Sequence, residues 1–236
     1  MPTLQDIINQ LQFISFELAL VGLFITAGTI IITRDWRLLI LALLMQYIVT
    51  GLMLSRLVRP DIAVLTVLIG AFICPILFMS ARQVSASSAT ARLAESRSAS
   101  WGDWLLNLAD SLLLVAPDPR QKTAPTGMVF RGFLAALLIL VAITLSQSFP
   151  LSQFTPAVST AVYWLGVAGL MILTITEDPL KAGVGLFTLF SGFGLYYVAL
   201  ESSLLLLALW GSINLLVALV IGYLAVVRGA NLEEEF

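Results

Sequence analysis

The chain has no histidine and a single cysteine, Cys74, among 236 residues. Without histidine there is no imidazole ligand for haem or zinc and no imidazole acid–base chemistry. One cysteine inside an apolar run excludes a disulfide framework and a thiolate metal site. Charge is scarce as well. Charged residues make up 11% of the chain, less than half of the roughly 25% in an ordinary globular domain. The net charge of −2 supplies no basic field for nucleic acid. There is no Gly-Lys-Ser/Thr phosphate loop and no Cys-x-x-Cys. The glycines of Gly183-x-Gly185 and Gly192-x-Gly194 lie inside an apolar run, where helix packing explains them better than phosphate binding. No basic stretch precedes the first apolar run, so a cleaved signal peptide is not expected. These absences predict no catalytic residues, no cofactor and no metal.

What the chain has in abundance is apolar length. Its residues are 59% hydrophobic and its mean hydropathy is +1.00. Apolar runs approaching the ~20 residues of a bilayer-crossing helix recur along it. The expected fold is an all-α integral membrane protein of about seven transmembrane helices, arranged as two parallel three-helix units plus a linking helix. Thr3 can cap a leading helix, with Asp6 three residues on. The spans are expected near 13–33, 38–57, 62–80, 128–145, 163–174, 182–200 and 203–227, and Pro75 is expected to kink or open the third. Residues 84–100, rich in Ser, Ala and Arg, read as a flexible linker. Residues 101–115 place Trp101, Trp104, Leu105 and Leu108 on one helical face and Asp103, Asn107 and Asp110 on the other, the pattern of a helix lying in the membrane interface. The chain then divides into a first membrane unit (1–81), a cytoplasmic linker with an interfacial helix (82–127), a linking helix (128–148), a second unit (157–228) and an acidic tail (229–236).

Seven spans sort the basic residues sharply. Arg34, Arg37, Arg82, Arg92, Arg97, Arg120, Lys122, Arg131, Lys181 and Arg228 fall on one side, and only Arg56 and Arg59 on the other. The positive-inside rule makes the first side cytoplasmic. A multi-pass protein of the cytoplasmic (inner) membrane is expected, with its N-terminus outside and its C-terminus inside.

Two stretches repeat. The elbow Thr33-Arg34-Asp35 slides onto Thr176-Glu177-Asp178, and the same shift carries Gly51-Leu52 onto Gly194-Leu195. Each copy enters from outside, bends at a charged elbow, crosses back, and ends inside at an arginine. Two copies in one orientation need an extra crossing between them, which the fourth span supplies. The repeat is therefore parallel, unlike the inverted repeats of many transporters.

Polar groups inside the spans are uncharged. Gln46 and Thr50 lie one turn apart on the second span, Thr188 and Ser191 on the sixth, and Ser212 and Asn214 on the seventh. Gly185, Thr188, Gly192 and Ala199 form a small-residue stripe, as do Gly211, Asn214, Ala218 and Gly222; such stripes chiefly bond helices together. Glu17, near the outer end of the first span, is the one ionisable candidate, and snorkelling or pairing with Arg56 or Arg59 explains it better than a proton relay. Tyr196 and Tyr197 read as interfacial belt residues.

The three-span unit with its charged elbow resembles the NuoK-type subunit of complex I and its relatives, the MrpC-type antiporter subunit and the longer HyfE-type subunit of membrane-bound hydrogenases. The likeness runs from Leu165-Gly166 to Val227-Arg228 in length, orientation and ending. Where the family carries Gly-Leu-Glu, this chain has Gly183-Val184-Gly185-Leu186-Phe187, with Phe187 at the acidic position. Leu43-Leu44-Met45-Gln46 occupies that region in the first copy. The resemblance implies a place in a complex beside other membrane subunits of antiporter type, and it transfers no functional residue. The expected function is a non-catalytic membrane scaffold subunit of a proton- or sodium-translocating redox or antiporter complex. The alternatives are a stand-alone carrier or channel for a small solute, lined by Gln46, Ser191, Ser212 and Asn214, or a membrane anchor that recruits a cytoplasmic enzyme.

Overall fold

A computed structural model describes residues 16–33, 35–58, 60–98, 127–201 and 203–234, and every element in them is a helix. In chain order these are α1 (Phe16–Ile32), α2 (Trp36–Leu57), α3 (Pro60–Ser98), α4 (Met128–Ser148), α5 (Pro156–Ile175), α6 (Pro179–Leu200) and α7 (Leu204–Glu234). Five of them are long and apolar enough to cross a membrane, and the described part of α1 is a shorter apolar helix. The chain is an all-α membrane protein. The leading helix at Thr3 and Asp6, Arg34 of the first elbow, the amphipathic stretch 101–115 and the end of the acidic tail lie outside the described residues.

The helix ends follow local chemistry. Asp178 caps α6, its carboxylate accepting from the Leu180 N–H at 3.2 Å, and Pro179 and Pro156 open α6 and α5 at the position where a missing N–H costs nothing. Two boundaries differ from expectation. Helix α5 begins at Pro156 rather than near Tyr163, because Thr155-Pro156 is a start signal that a hydropathy window passes over. The backbone of 84–98 is helical and continues α3, which corrects the reading of that part as a flexible linker. Ala and Arg are strong helix formers and no Gly or Pro interrupts them there. Pro75 sits inside α3, whose helical assignment runs through it unbroken.

The shift that carries Trp36 onto Pro179 also carries Leu57 onto Leu200 and Ile32 onto Ile175, so the bounds of α2 and the end of α1 coincide with those of α6 and α5. The packing is equally regular. Helices α1, α2 and α3 form one layer, α5, α6 and α7 a second, and each helix packs on its own counterpart: α1 on α5, α2 on α6, α3 on α7. Helix α4 closes the edge at α1 and α5. There the hydroxyls of Ser146 and Thr160 lie 2.9 Å apart, and Tyr163 donates to the Phe149 carbonyl at 2.9 Å.

Counterparts facing counterparts means that the second layer is displaced from the first rather than rotated by half a turn, and burial follows. Leu23, Ala27, Leu43, Gln46 and Thr50 are buried in the seam; their counterparts Gly166, Leu170, Leu186, Leu189 and Phe193 lie half-buried or exposed on the far side of the second layer. Conversely, Ala161, Trp164, Ala168, Val184 and Thr188 are buried against the first layer, and their counterparts Leu18, Val21, Ile25, Leu41 and Met45 are exposed. The third pair obeys the same rule: Leu207, Gly211, Asn214 and Ala218 are buried, while Val64, Leu68, Ala71 and Pro75 are exposed. The stack is heterologous, so each end repeats one half of an internal interface.

Candidate functional site

Two hydrogen bonds cross the seam between the units, one at mid-helix and one at the elbows. The Trp164 indole N–H donates to the Leu23 carbonyl at 3.0 Å, and its ring meets Phe24 edge-on with centroids 5.2 Å apart. On the elbow side, Lys181 Nζ donates to the Thr33 carbonyl at 2.9 Å, a cation at the C-terminal end of α1 where the helix dipole favours it. Arg228 donates to the Glu177 carbonyl and holds the end of α7 to the second elbow.

The seam also holds a polar cluster. Gln46, Thr50, Thr188, Ser191 and Asn214 are all buried. Thr188 donates to the Val184 carbonyl and Ser191 to the Phe187 carbonyl, each satisfying itself on its own helix. Asn214 spends its N–H on the Trp210 carbonyl. Both amide atoms of Gln46, the Thr50 hydroxyl and the Asn214 Oδ1 have no partner among the described residues. Tyr47, on α2, brings its hydroxyl to Ser191 on α6. A cavity of about 30 Å³ lies between α2, α3, α6 and α7, lined by Tyr47, Thr50, Thr66, Ser191 and Asn214 among apolar side chains.

The candidates named from sequence thus divide. Thr50 and Asn214 meet at the cavity, with Gln46 one turn along the same helix and Thr188 nearby on α6. Ser212 does not join them: it is exposed and bonds back to the Ala208 carbonyl, because it faces the opposite side of α7 from Asn214. That removes it from the solute path it was expected to line. Gly185 and Gly192 face α5, where a Cβ on Gly185 would lie 2.7 Å from Ile172 Cγ2 and one on Gly192 2.9 Å from Leu165 Cβ. Their stripe serves packing within the second unit. Glu17 is exposed in the first turn of α1.

Comparison with protein-family models, curated proteins and solved structures finds no significant match. The functional reading therefore rests on the residues themselves. Among the described residues, no three of His, Cys, Asp and Glu come together as a metal-ligand group. Tyr47, Trp164 and Trp210 were not singled out from sequence. An aromatic residue in an apolar run carries no mark of its neighbours, though Trp164 stands where the first copy has Val21, and that size change between repeats was the available signal.

Proposed function

We propose that the chain is a non-catalytic scaffold subunit of a multisubunit ion-translocating membrane complex, related to complex I, membrane-bound hydrogenases or Mrp-type antiporters, and that it packs beside larger antiporter-like subunits. The observation that carries this reading is the displaced stack. The outward face of α5 and α6 is the counterpart of the seam's first-unit side, yet among the described residues no third layer of helices packs on it. It holds a groove of about 280 Å³ lined by Tyr163, Gly166, Leu189, Gly192, Phe193 and Tyr196. Close helix approach in a bilayer needs such shape, because lipid and leucine are equally apolar and only packing and hydrogen bonds distinguish them. The polar groups of the buried cluster at Gln46, Thr50, Thr188, Ser191 and Asn214 are amides and hydroxyls, which do not titrate near neutral pH; this supports a scaffold rather than a proton relay.

Gly166 tests the reading. A Cβ there meets nothing within 4 Å, so Gly166→Leu is expected to leave the chain's own thermal unfolding unchanged. It fills the groove, and overpacking of about 1–3 kcal/mol weakens partner binding by roughly 5- to 150-fold. Partner subunits should be lost from the complex purified in mild detergent. Undiminished co-purification would overturn the assignment of this face.

In the proposed orientation the elbows are cytoplasmic and the α4–α5 loop is outside, as the basic residues favour. With Cys74 replaced by alanine, Ser152→Cys on that exposed loop should react with an impermeant maleimide in intact cells. Labelling only after permeabilisation would reverse the orientation.

A further inference from the structure

The two units differ at one contact, and a cavity results. In the first unit α2 and α3 touch closely: a Cβ on Gly51 would fall 2.3 Å from Val67 Cγ2, and one on Gly70 2.4 Å from Tyr47 Cγ. In the second unit Trp210 stands where Val67 does and Ile213 where Gly70 does. The Trp210 ring lies against Phe190 and Phe193, with both centroid separations 5.3 Å. This wedge holds α7 off α6, and α7 leans on α3 instead. The space left is the cavity at Tyr47, Thr50, Thr66, Ser191 and Asn214.

Its hydrogen-bonding balance is uneven. Asn214 Oδ1 is an acceptor with no partner among the described residues, while one of the two amide N–H groups donates to the Trp210 carbonyl. Ser191 and Thr66 have donated to the Phe187 and Ile62 carbonyls, so their oxygens can only accept, that of Ser191 already meeting the Tyr47 hydroxyl. Thr50 is without a partner among the described residues. The site offers acceptors and at least one unused hydroxyl donor, is uncharged and buried, and so calls for a small neutral occupant that both donates and accepts. A cavity needs about 10–15 Å³ to hold one water molecule, and this one offers about 30 Å³. Leaving Thr50 and Asn214 dry in a bilayer interior would carry the full desolvation penalty of both.

We propose that this cavity is a hydration site holding a pair of water molecules, which donate to Asn214 Oδ1 and to the hydroxyl oxygens and so join α2 of the first unit to α6 and α7 of the second. The site has no counterpart on the outer face, where Phe193 and Leu189 replace Thr50 and Gln46. The occupied joint is wet while the repeat-related outer surface is dry.

Millisecond X-ray hydroxyl-radical footprinting of the full chain in nanodiscs tests this, because radicals form from the bound water itself. Trp164 and Phe187, fully buried and away from the cavity lining, are the internal controls. Corrected for intrinsic reactivity, Tyr47 should be oxidised several-fold faster than either. Tyr47 oxidised no faster than the controls would overturn the proposal, and this comparison uses the unaltered chain. In the near-isosteric variants Thr50→Val and Asn214→Leu, Tyr47 should fall to the control rate. Unchanged Tyr47 oxidation in both, with the controls still protected, would show that the water lies elsewhere and overturn the assignment to this cavity.

Discussion

Gly169→Ala is expected to destabilise the protein by about 3 kcal/mol, the upper part of the range for overpacking a filled interface. Gly169 is where α5 and α6 come closest. A Cβ there would lie 2.5 Å from the Leu189 nitrogen and 2.8 Å from the Gly185 carbonyl oxygen. Both are backbone atoms of α6, so no rotamer change relieves the clash and the helix itself must move. The movement would also open the contacts that Gly185 and Gly192 make with α5. For a chain of this size, thermal unfolding in detergent should fall by roughly 6–12 °C. Gly28→Ala is the control: it is buried on α1, yet a Cβ there meets nothing within 4 Å, and the variant should keep its stability or gain up to about 1 kcal/mol from helix propensity. Equal effects at the two positions would mean that helix propensity, not contact, governs both.

The second large effect is expected at Trp164. Removal of its side chain in Trp164→Ala leaves a void between the units, takes the edge-on partner from Phe24 and deletes the hydrogen bond to the Leu23 carbonyl. Large-to-small changes of this kind cost about 3–5 kcal/mol. Trp164→Phe separates the contributions, since it keeps an aromatic ring beside Phe24 and loses the donor; it should cost about 1 kcal/mol for the bond plus a smaller void. Because Trp164 ties α5 to α1, the alanine variant should loosen one unit from the other before either melts. Limited proteolysis in the stretch that joins α3 to α4, 99–126, should then release two separable fragments. Single-step unfolding with no accumulation of such fragments would mean that the units are not independent bodies.

Both effects sit on the tertiary link of the chain, as does the fate of the small-residue stripe on α6. Small residues at helical spacing announce that some helix approaches closely, but not which one. The approach turns out to be internal, α5 against α6, and the groove proposed for a partner lies beside that contact, at Gly166, Gly192 and Phe193. Ser212 makes the same point from the polar side. It is two residues from Asn214, and on a helix that spacing sends side chains to different faces.

The sequence by itself determined the membrane class, the all-helical fold and the doubling. Apolar run length is set by bilayer thickness, and backbone groups in lipid must be satisfied within a helix. The repeat was legible because charged elbows interrupt apolar runs at one constant spacing, and helices α2 and α6 share bounds under that shift. Only the tertiary structure decided that equivalent helices face one another, that the second layer is displaced rather than rotated, and that Thr50 and Asn214 share a cavity while Ser212 does not. The physical reason is that hydropathy in a membrane protein has lost its directional content. In water an apolar face must point inward; in lipid both faces are apolar, and which one is buried is settled by shape, through Gly169 against Leu189 and Trp164 against Leu23.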